Sequence, residues 1–412
     1  MNERDIKMAS TSNTAADPSI GTSDASGQGV SAEKLERKPD WRAAFGLREM
    51  GVFYALLLLV IVLSFATAYM GRSNYLSVLN VTNVMYQASL TSFMAIAMTV
   101  VLITGNFDLS VASVAAFSAA VFVGSANSMG LIPAGCLAMG AAIVAGLING
   151  SIVQFVGINA FIVTLGTLTA IRGLVLIYTD GASLTIQSPE MSAALRAFES
   201  QRVDAGIVLA VIAVALLICS AVHYTRAKRL EPVNLGMMLG GAALLAFTWS
   251  AGFEVPLKMP VIYLAAFTLL VWFVLRFTTV GRRIYAVGGN PEAARLSGIN
   301  VTFYKLAAFV FCSATAGFAG ILFASRLRSM NPTGLQGYEL TVIAAAILGG
   351  TSLFGGAGSV IKTLGGALLL YSLTNGFNIL NLGANYQGLI EGVVVVAAAA
   401  IYTVGGRSGR KS

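Results

Sequence analysis

GRRIYAVGGNPEAARLSGINV, from Gly281 to Val301, is the longest polar interruption in the second half of the chain. One apolar run ends near Phe277 before it and another begins near Phe303 after it, so it reads as a loop between two long apolar segments. A very short helix is marked inside it at both ends. Asn290 is placed to act as N-cap, Pro291 fits the first helical position, and Gly298 can take the left-handed conformation that stops a helix. Between them, Glu292 sits near the positive end of the helix dipole and Arg295 near the negative end. Two turns do not hold together alone in water, so the segment must lean on something. Its small Ala293 and Ala294, its single Leu296 and the following Ser297 suit insertion into a groove. Two readings stand side by side: a capped connector resting on its own domain or on lipid headgroups, and a docking site for a partner protein.

Working outward, composition sets the class. Of 412 residues, 56% are hydrophobic and 11% charged, where soluble domains carry about 25% charged. Several apolar runs approach the roughly 20 residues a helix needs to cross the hydrocarbon core. The 44 glycines suit helices that pack closely in a membrane. The expectation is an all-α polytopic membrane protein of about 10–12 spans with pseudo-repeated halves. A formal charge of +8 then reports topology and the lipid bilayer rather than a nucleic-acid partner. Cys136, Cys219 and Cys312 lie in apolar runs without metal-ligand spacing and are expected to be buried, reduced thiols.

Residues 1–45 hold too few large apolar side chains to fold and are expected to form a disordered tail. Apolar segments follow at about 51–69, 84–103, 109–127, 133–156, 160–179, 205–223, 234–251, 259–276, 303–325, 339–354, 359–380 and 386–404, with the segments near 84 and 339 candidates for breaks. The membrane-spanning body thus covers 46–405, leaving 406–412 as a C-terminal tail. Threading these alternately puts nineteen basic residues on one side, among them the tail's seven, Arg226, Arg276, Arg282, Arg283, Arg295, Lys305, Lys362 and Arg407. The other side receives only Arg72, Arg196, Arg202, Lys258, Arg326 and Arg328, with Arg172 inside a span. By the positive-inside rule both termini and the Gly281–Val301 loop are cytoplasmic. The halves also echo each other: Ser92–Ser113 and Glu339–Ser359 each carry an apolar run and a Gly/Ser-rich turn before another apolar run. Interrupted helices in matching positions point toward a translocation path.

Motifs for catalysis are missing. There is no G-x-x-x-x-G-K-[ST] loop, no H-E-x-x-H, no C-x-x-C and no G-x-S-x-G, and the sole histidine, His223, sits at a span end. Energy for uphill transport must therefore come from another subunit or an ion gradient. Ionisable residues in spans are costly and so informative. Asp108, two residues before Ser110, can N-cap the next helix or line a gate; Glu339 starts a span, and Glu391 lies deeper in the last one. Arg172 is placed to pair with Asp180 or to reach interfacial carbonyls, and Lys362 can snorkel to headgroups. The spacings Gly146–Gly150 and Gly236–Gly240 allow close helix contact. Tyr371, Asn375, Asn378, Asn381, Asn385, Tyr386 and Gln387 gather amides and aromatics around the last two spans, which suits a sugar path and equally an interfacial belt.

Three stretches carry a resemblance: FIVTLGTLTAIRGL (Phe161–Leu174), GRRIYAVGGNPEAARLSGIN (Gly281–Asn300) and YELTVIAAAILGGTSLFGGAGSV (Tyr338–Val360), supported by the run from Asp108 and by YQGLIEG (Tyr386–Gly392). Over residues 50–405 the chain is similar to the membrane subunits of bacterial ABC sugar importers, the ribose/xylose/galactose permease family. The hydrophobic pair between 205 and 251 resembles the longer xylose-type permeases. The resemblance implies two permease subunits, expected as a homodimer in the inner membrane, a cytoplasmic ATPase that uses ATP and Mg, and a periplasmic sugar-binding protein. It implies that Arg282, Arg283 and Asn290–Gly298 form the coupling element seated on the ATPase, and that this chain is a non-catalytic transport subunit binding no cofactor. Asp108, Ser110, Asn375, Asn378, Tyr386, Gln387 and Glu391 are the candidates for the path. The chain departs from the family at Asn106, Ala112 and Lys362, where glycine is usual, and at Glu391, where a basic residue is frequent. A self-contained ion-coupled carrier is the alternative, with Asp108 and Glu391 as its acidic pair.

Overall fold

A computed structural model describes residues 47–227, 232–251, 255–382 and 392–393. The N-terminal tail, the last apolar segment with Asn385, Tyr386, Gln387 and Glu391, the C-terminal tail and the side chain of His223 lie outside the described residues. Long apolar runs with no internal polar ladder partner can satisfy their backbone only within themselves, and they fold as helices. In order these are α1 (Leu47–Tyr69), α2 (Val78–Ile103), α3 (Val111–Met129), α4 (Leu131–Ser151, extended by a π turn to Val156) and α5 (Ala160–Thr179). A short amphipathic helix, α6 (Pro189–Ser200), precedes α7 (Ala205–Ala227), α8 (Pro232–Ala251) and α9 (Met259–Phe277). The Gly281–Val301 stretch supplies α10 (Thr279–Gly289) and α11 (Pro291–Leu296), and α12 (Val301–Leu327), α13 (Tyr338–Leu348) and α14 (Val360–Leu380) follow. Among the described residues, seven helices are long and apolar enough to cross a bilayer.

Two short strand pairs fix which loops share an end of the bundle. β1 (Leu184–Thr185) pairs antiparallel with β4 (Ser329–Met330), and β2 (Arg202–Asp204) with β3 (Pro256–Lys258). Glu199, just before β2, bonds Arg326, just before β4, so both pairs lie at one end. The opposite end holds the break after α2, the α10–α11 loop and the loop after α13, where Gly356 N donates to Ile103 O at 2.8 Å. This is the alternation that threading the apolar segments requires.

α2 is the axis of the fold. It is not broken near residue 84: Ser77 caps it by accepting from Asn80 N, and it runs 26 residues, or ~39 Å. Nearly all its side chains from Ala88 to Ile103 are buried. α14 runs antiparallel along it, tied by Tyr75 to the Ser372 carbonyl, reciprocal Asn80–Asn375 amide bonds, Thr91 to Tyr371 and Thr99 to Thr363. The segment at 339–354 is cut short instead. α13 has 11 residues, ~16 Å, about half the ~30 Å hydrocarbon thickness, and residues 349–359 form a loop before α14.

Small residues set the closest helix contacts. A Cβ at Gly146 would lie 2.8 Å from Ser313 Cβ, and one at Gly150 2.6 Å from Leu306 Cδ1, so α4 and α12 meet along the expected glycine pair. In the second pair the surroundings of Gly236 lie outside the described residues; Gly240 faces open space, and its neighbour Gly241 makes the close approach, 2.9 Å from Leu217. One residue of helix turns a side chain by about 100°, and periodicity in so glycine-rich a segment does not choose between neighbours. The thiol expectation also divides. Cys312 is buried, while Cys136 and Cys219 are exposed on the protein's outer surface, where lipid covers an apolar residue as well as protein does.

Candidate functional site

The peg and its root are the best-defined polar feature. Asn290 Oδ1 accepts from Ala293 N at 3.0 Å, Pro291 occupies the first turn, and Ser297 Oγ donates to Ala293 O at 2.9 Å. Gly298 at φ +77° ends α11, and Asn300 starts α12 by accepting from Phe303 N. Ala294 is turned into the body of the protein, whereas Glu292, Ala293, Arg295, Leu296 and Ser297 face outward. Leu296 is 89% exposed at the tip of a polar loop. Glu292 and Arg295 form a 3.4 Å ion pair on the open face, with side chains 77% and 65% exposed, so it adds little stability.

What lies behind the peg matters more than the peg. α10 is capped by Thr278, which accepts from Gly281 N, and it carries Gly288 into the seam between the two helix breaks. A Cβ there would collide with the Ile103 carbonyl and sit 2.8 Å from Gly356 N. Tyr285 Oη donates to Gly358 O at 2.9 Å, and burial pushes its phenol above the ordinary value. Arg283 donates to Tyr304 Oη, and both Arg282 and Arg283 are exposed. The root of the loop is thus wedged against the end of α2 and the 349–359 loop together.

The Asp108 reading needs correction. Asp108 does not cap α3; Ser110 stands at the N-cap, with no side-chain cap bond. Asp108 Oδ1 instead accepts from both N and Oγ of Ser110, at 3.0 and 2.6 Å, closing an Asx turn within the break. Asn149 of α4 donates to the same Ser110 hydroxyl at 2.8 Å. The carboxylate is wholly buried, and among the described residues its Oδ2 has no hydrogen-bond partner.

Arg172 pairs with carbonyls rather than with Asp180. Its two terminal nitrogens donate to Gly334 O and Leu335 O, each at 2.7 Å, pinning the turn that leads into α13. A fixed guanidinium fork matches two adjacent carbonyls, and Leu335 holds a left-handed φ of 59° in that turn. Asn375 bonds Asn80 at the opposite end of the bundle from the break, and Asn378 is exposed nearby. The structure therefore does not bring Asp108 and Ser110 together with Asn375 and Asn378.

Sequence reading missed a cluster at the β-paired end. The Glu199 carboxylate, fully buried, accepts from Arg326 Nε at 2.9 Å and from Tyr86 Oη. Lys258 Nζ lies 3.6 Å and the Arg326 guanidinium 3.9 Å from the centre of the Tyr86 ring, one cation–π contact each. Burial pushes the Lys258 ammonium below its ordinary value, opposed by the Glu199 charge. These partners come from α2, α6, β3 and α12 and are far apart in sequence, so no spacing announced them.

Comparison with known proteins gives a consistent answer. The family described as "Branched-chain amino acid transport system / permease component" matches residues 80–399. The ribose import permease protein RbsC of Escherichia coli (strain K12) is 34% identical over 86% of this chain and 94% of its own. The xylose transport system permease protein XylH of Haemophilus influenzae is 32% identical over 85% and 96%. The D-allose transport system permease protein AlsC of Escherichia coli (strain K12) is 28% identical over 90% and 96%. No solved structure matches. The bundle of apolar helices, the half-length α13 and these relatives converge: this chain belongs to the permease-component family of transport systems and is a multi-pass membrane permease.

Proposed function

We propose that this chain is the membrane-spanning subunit of an ATP-driven importer and forms the path for a monosaccharide, a pentose such as ribose or xylose or a related sugar. Identities to ribose and xylose permeases differ too little to choose among sugars. Two copies enclose the path, a periplasmic binding protein delivers the sugar, and a cytoplasmic ATPase uses ATP and Mg to drive the cycle. Both termini and the α10–α11 loop face the cytoplasm of the bacterial inner membrane.

The observation that carries this reading is the geometry of the loop: an exposed capped peg whose root is jammed between two helix breaks. A groove that shifts when ATP binds moves α11, and the close contact at Gly288 passes that displacement to Ile103 and Gly356. Interrupted helices have two discrete arrangements available, so a small push selects between an outward and an inward path. Among the described residues, the buried, half-partnered Asp108 favours a self-contained ion-coupled carrier. Reconstitution separates the two. Labelled sugar should enter vesicles only when the ATPase, ATP and the binding protein are present; gradient-driven uptake by the permease alone would overturn the importer reading.

A further inference from the structure

Two spans are gripped at both of their ends. α2 ends at Ile103, against which Gly288 of α10 is packed, and α12 carries in its first turn Tyr304, which accepts from Arg283 of the same α10. At the β-paired end these two spans are tied again, through Tyr86 of α2 and Arg326 in the last turn of α12. The two grips on α2 lie ~26 Å apart.

The second tie runs through a strap. α6 is amphipathic: Leu195 and Glu199, four residues apart, are buried on its inward face, while Ala193, Ala194, Arg196 and Ala197 are exposed. Glu199 accepts from Arg326 Nε at 2.9 Å, from Tyr86 Oη and from Ser200 Oγ at 2.6 Å. Arg326 spends the rest of its fork on α2, donating from Nη2 to Tyr86 O at 3.1 Å and from Nη1 to Gln87 Oε1 at 3.3 Å. Lys258 of β3 adds its ammonium to the Tyr86 ring. The other end of the strap is held to the chain just after α12 by the β1–β4 pair. A buried ion pair is a poor choice for permanent closure, since apolar side chains of similar volume hold such a site as well or better. It suits a closure that opens, because both charges regain water on separation. Helix shifts of about 1–2 Å, the usual size of a switching step, carry a 2.9 Å contact past bonding distance.

We propose that this cluster is a latch on the β-paired end of α2 and α12, closed in this structure and opened when α10 is displaced. The latch rests on the reading of the α10–α11 loop as the coupling element and gives that loop a distant target.

The test reads a thiol beneath the latch. Ser89, on α2 about one turn beyond Tyr86, is fully buried. Ser89→Cys is made in the full chain with Cys136, Cys219 and Cys312 replaced, and its labelling by a polar maleimide is timed in nanodiscs. A hydrogen bond to a charged group is worth about ten- to a hundredfold in an equilibrium. Tyr86→Phe, which removes the hydroxyl and keeps the ring, should therefore speed labelling by about tenfold or more. Lys258→Met, which removes only the cation over the ring, should speed it about two- to fivefold, and it decides the matter if Tyr86→Phe does not elute as a folded protein. With the ATPase bound, a non-hydrolysable ATP analogue should speed labelling about tenfold without either variant, a response that fraying of a fixed staple would not give. Folded variants that label no faster overturn the proposal. Labelling that ignores the analogue while the ATPase is bound overturns it too. Absence of ATPase binding would instead remove the coupling reading and with it the opening step, whereas the variants, timed on the permease alone, would still report the closure.

Discussion

Replacing Gly288 by alanine tests the coupling path at its narrowest point. The new Cβ would overlap the Ile103 carbonyl and lie 2.8 Å from Gly356 N, against the ~3.5–4.0 Å at which heavy atoms normally rest. Neither neighbour is a flexible side chain, so a backbone must move. Overpacking of this kind costs about 1–3 kcal/mol, and loss of the Gly356–Ile103 hydrogen bond adds about 0.5–1.5 kcal/mol. Gly288→Ala should therefore insert and purify with a thermal midpoint several degrees lower, and should lose sugar uptake in vesicles while its exposed peg still binds the ATPase. Gly289→Ala is the internal control. Its Cβ would be 3.9 Å from the nearest atom, Gly356 Cα, an ordinary contact, so midpoint and uptake should stay near wild type. Wild-type uptake in Gly288→Ala would refute the claim that motion passes through this contact.

At the tip, Leu296→Asp removes an exposed apolar contact worth about 1.5–3 kcal/mol if buried in a partner groove, and should weaken ATPase co-purification by ten- to a hundredfold. Glu292→Lys should act in the same direction, by charge. Arg326→Gln should destabilise the permease by about 3–5 kcal/mol, seen as earlier thermal unfolding, because it leaves the Glu199 carboxylate buried without its charged partner. Arg172→Met should free the Gly334 and Leu335 carbonyls and expose the turn before α13 to protease, at about 1.5–3 kcal/mol per lost bond. With Cys136 and Cys219 replaced, Ser297→Cys should react with an impermeant maleimide only after cells are opened; labelling in intact cells would reverse the proposed topology.

The sequence by itself determined the class, the threading and the peg. Each of these follows from local chemistry: hydrophobic length sets a span, and Asn290, Pro291 and Gly298 delimit a six-residue helix through their own backbone preferences. Tertiary structure alone decided which chemistry those residues serve. Asp108 serves an Asx turn rather than a cap because Ser110 is two residues ahead and Asn149 approaches from α4. Gly241 rather than Gly240 meets α7 because helix rotation, which periodicity leaves open, is chosen by packing. Glu199 meets Arg326 and Tyr86, and Gly288 meets Ile103 and Gly356, only after distant helices have docked. Short-range preferences are written residue by residue, whereas contacts between spans depend on rotation and register, which every other helix in the bundle helps to set.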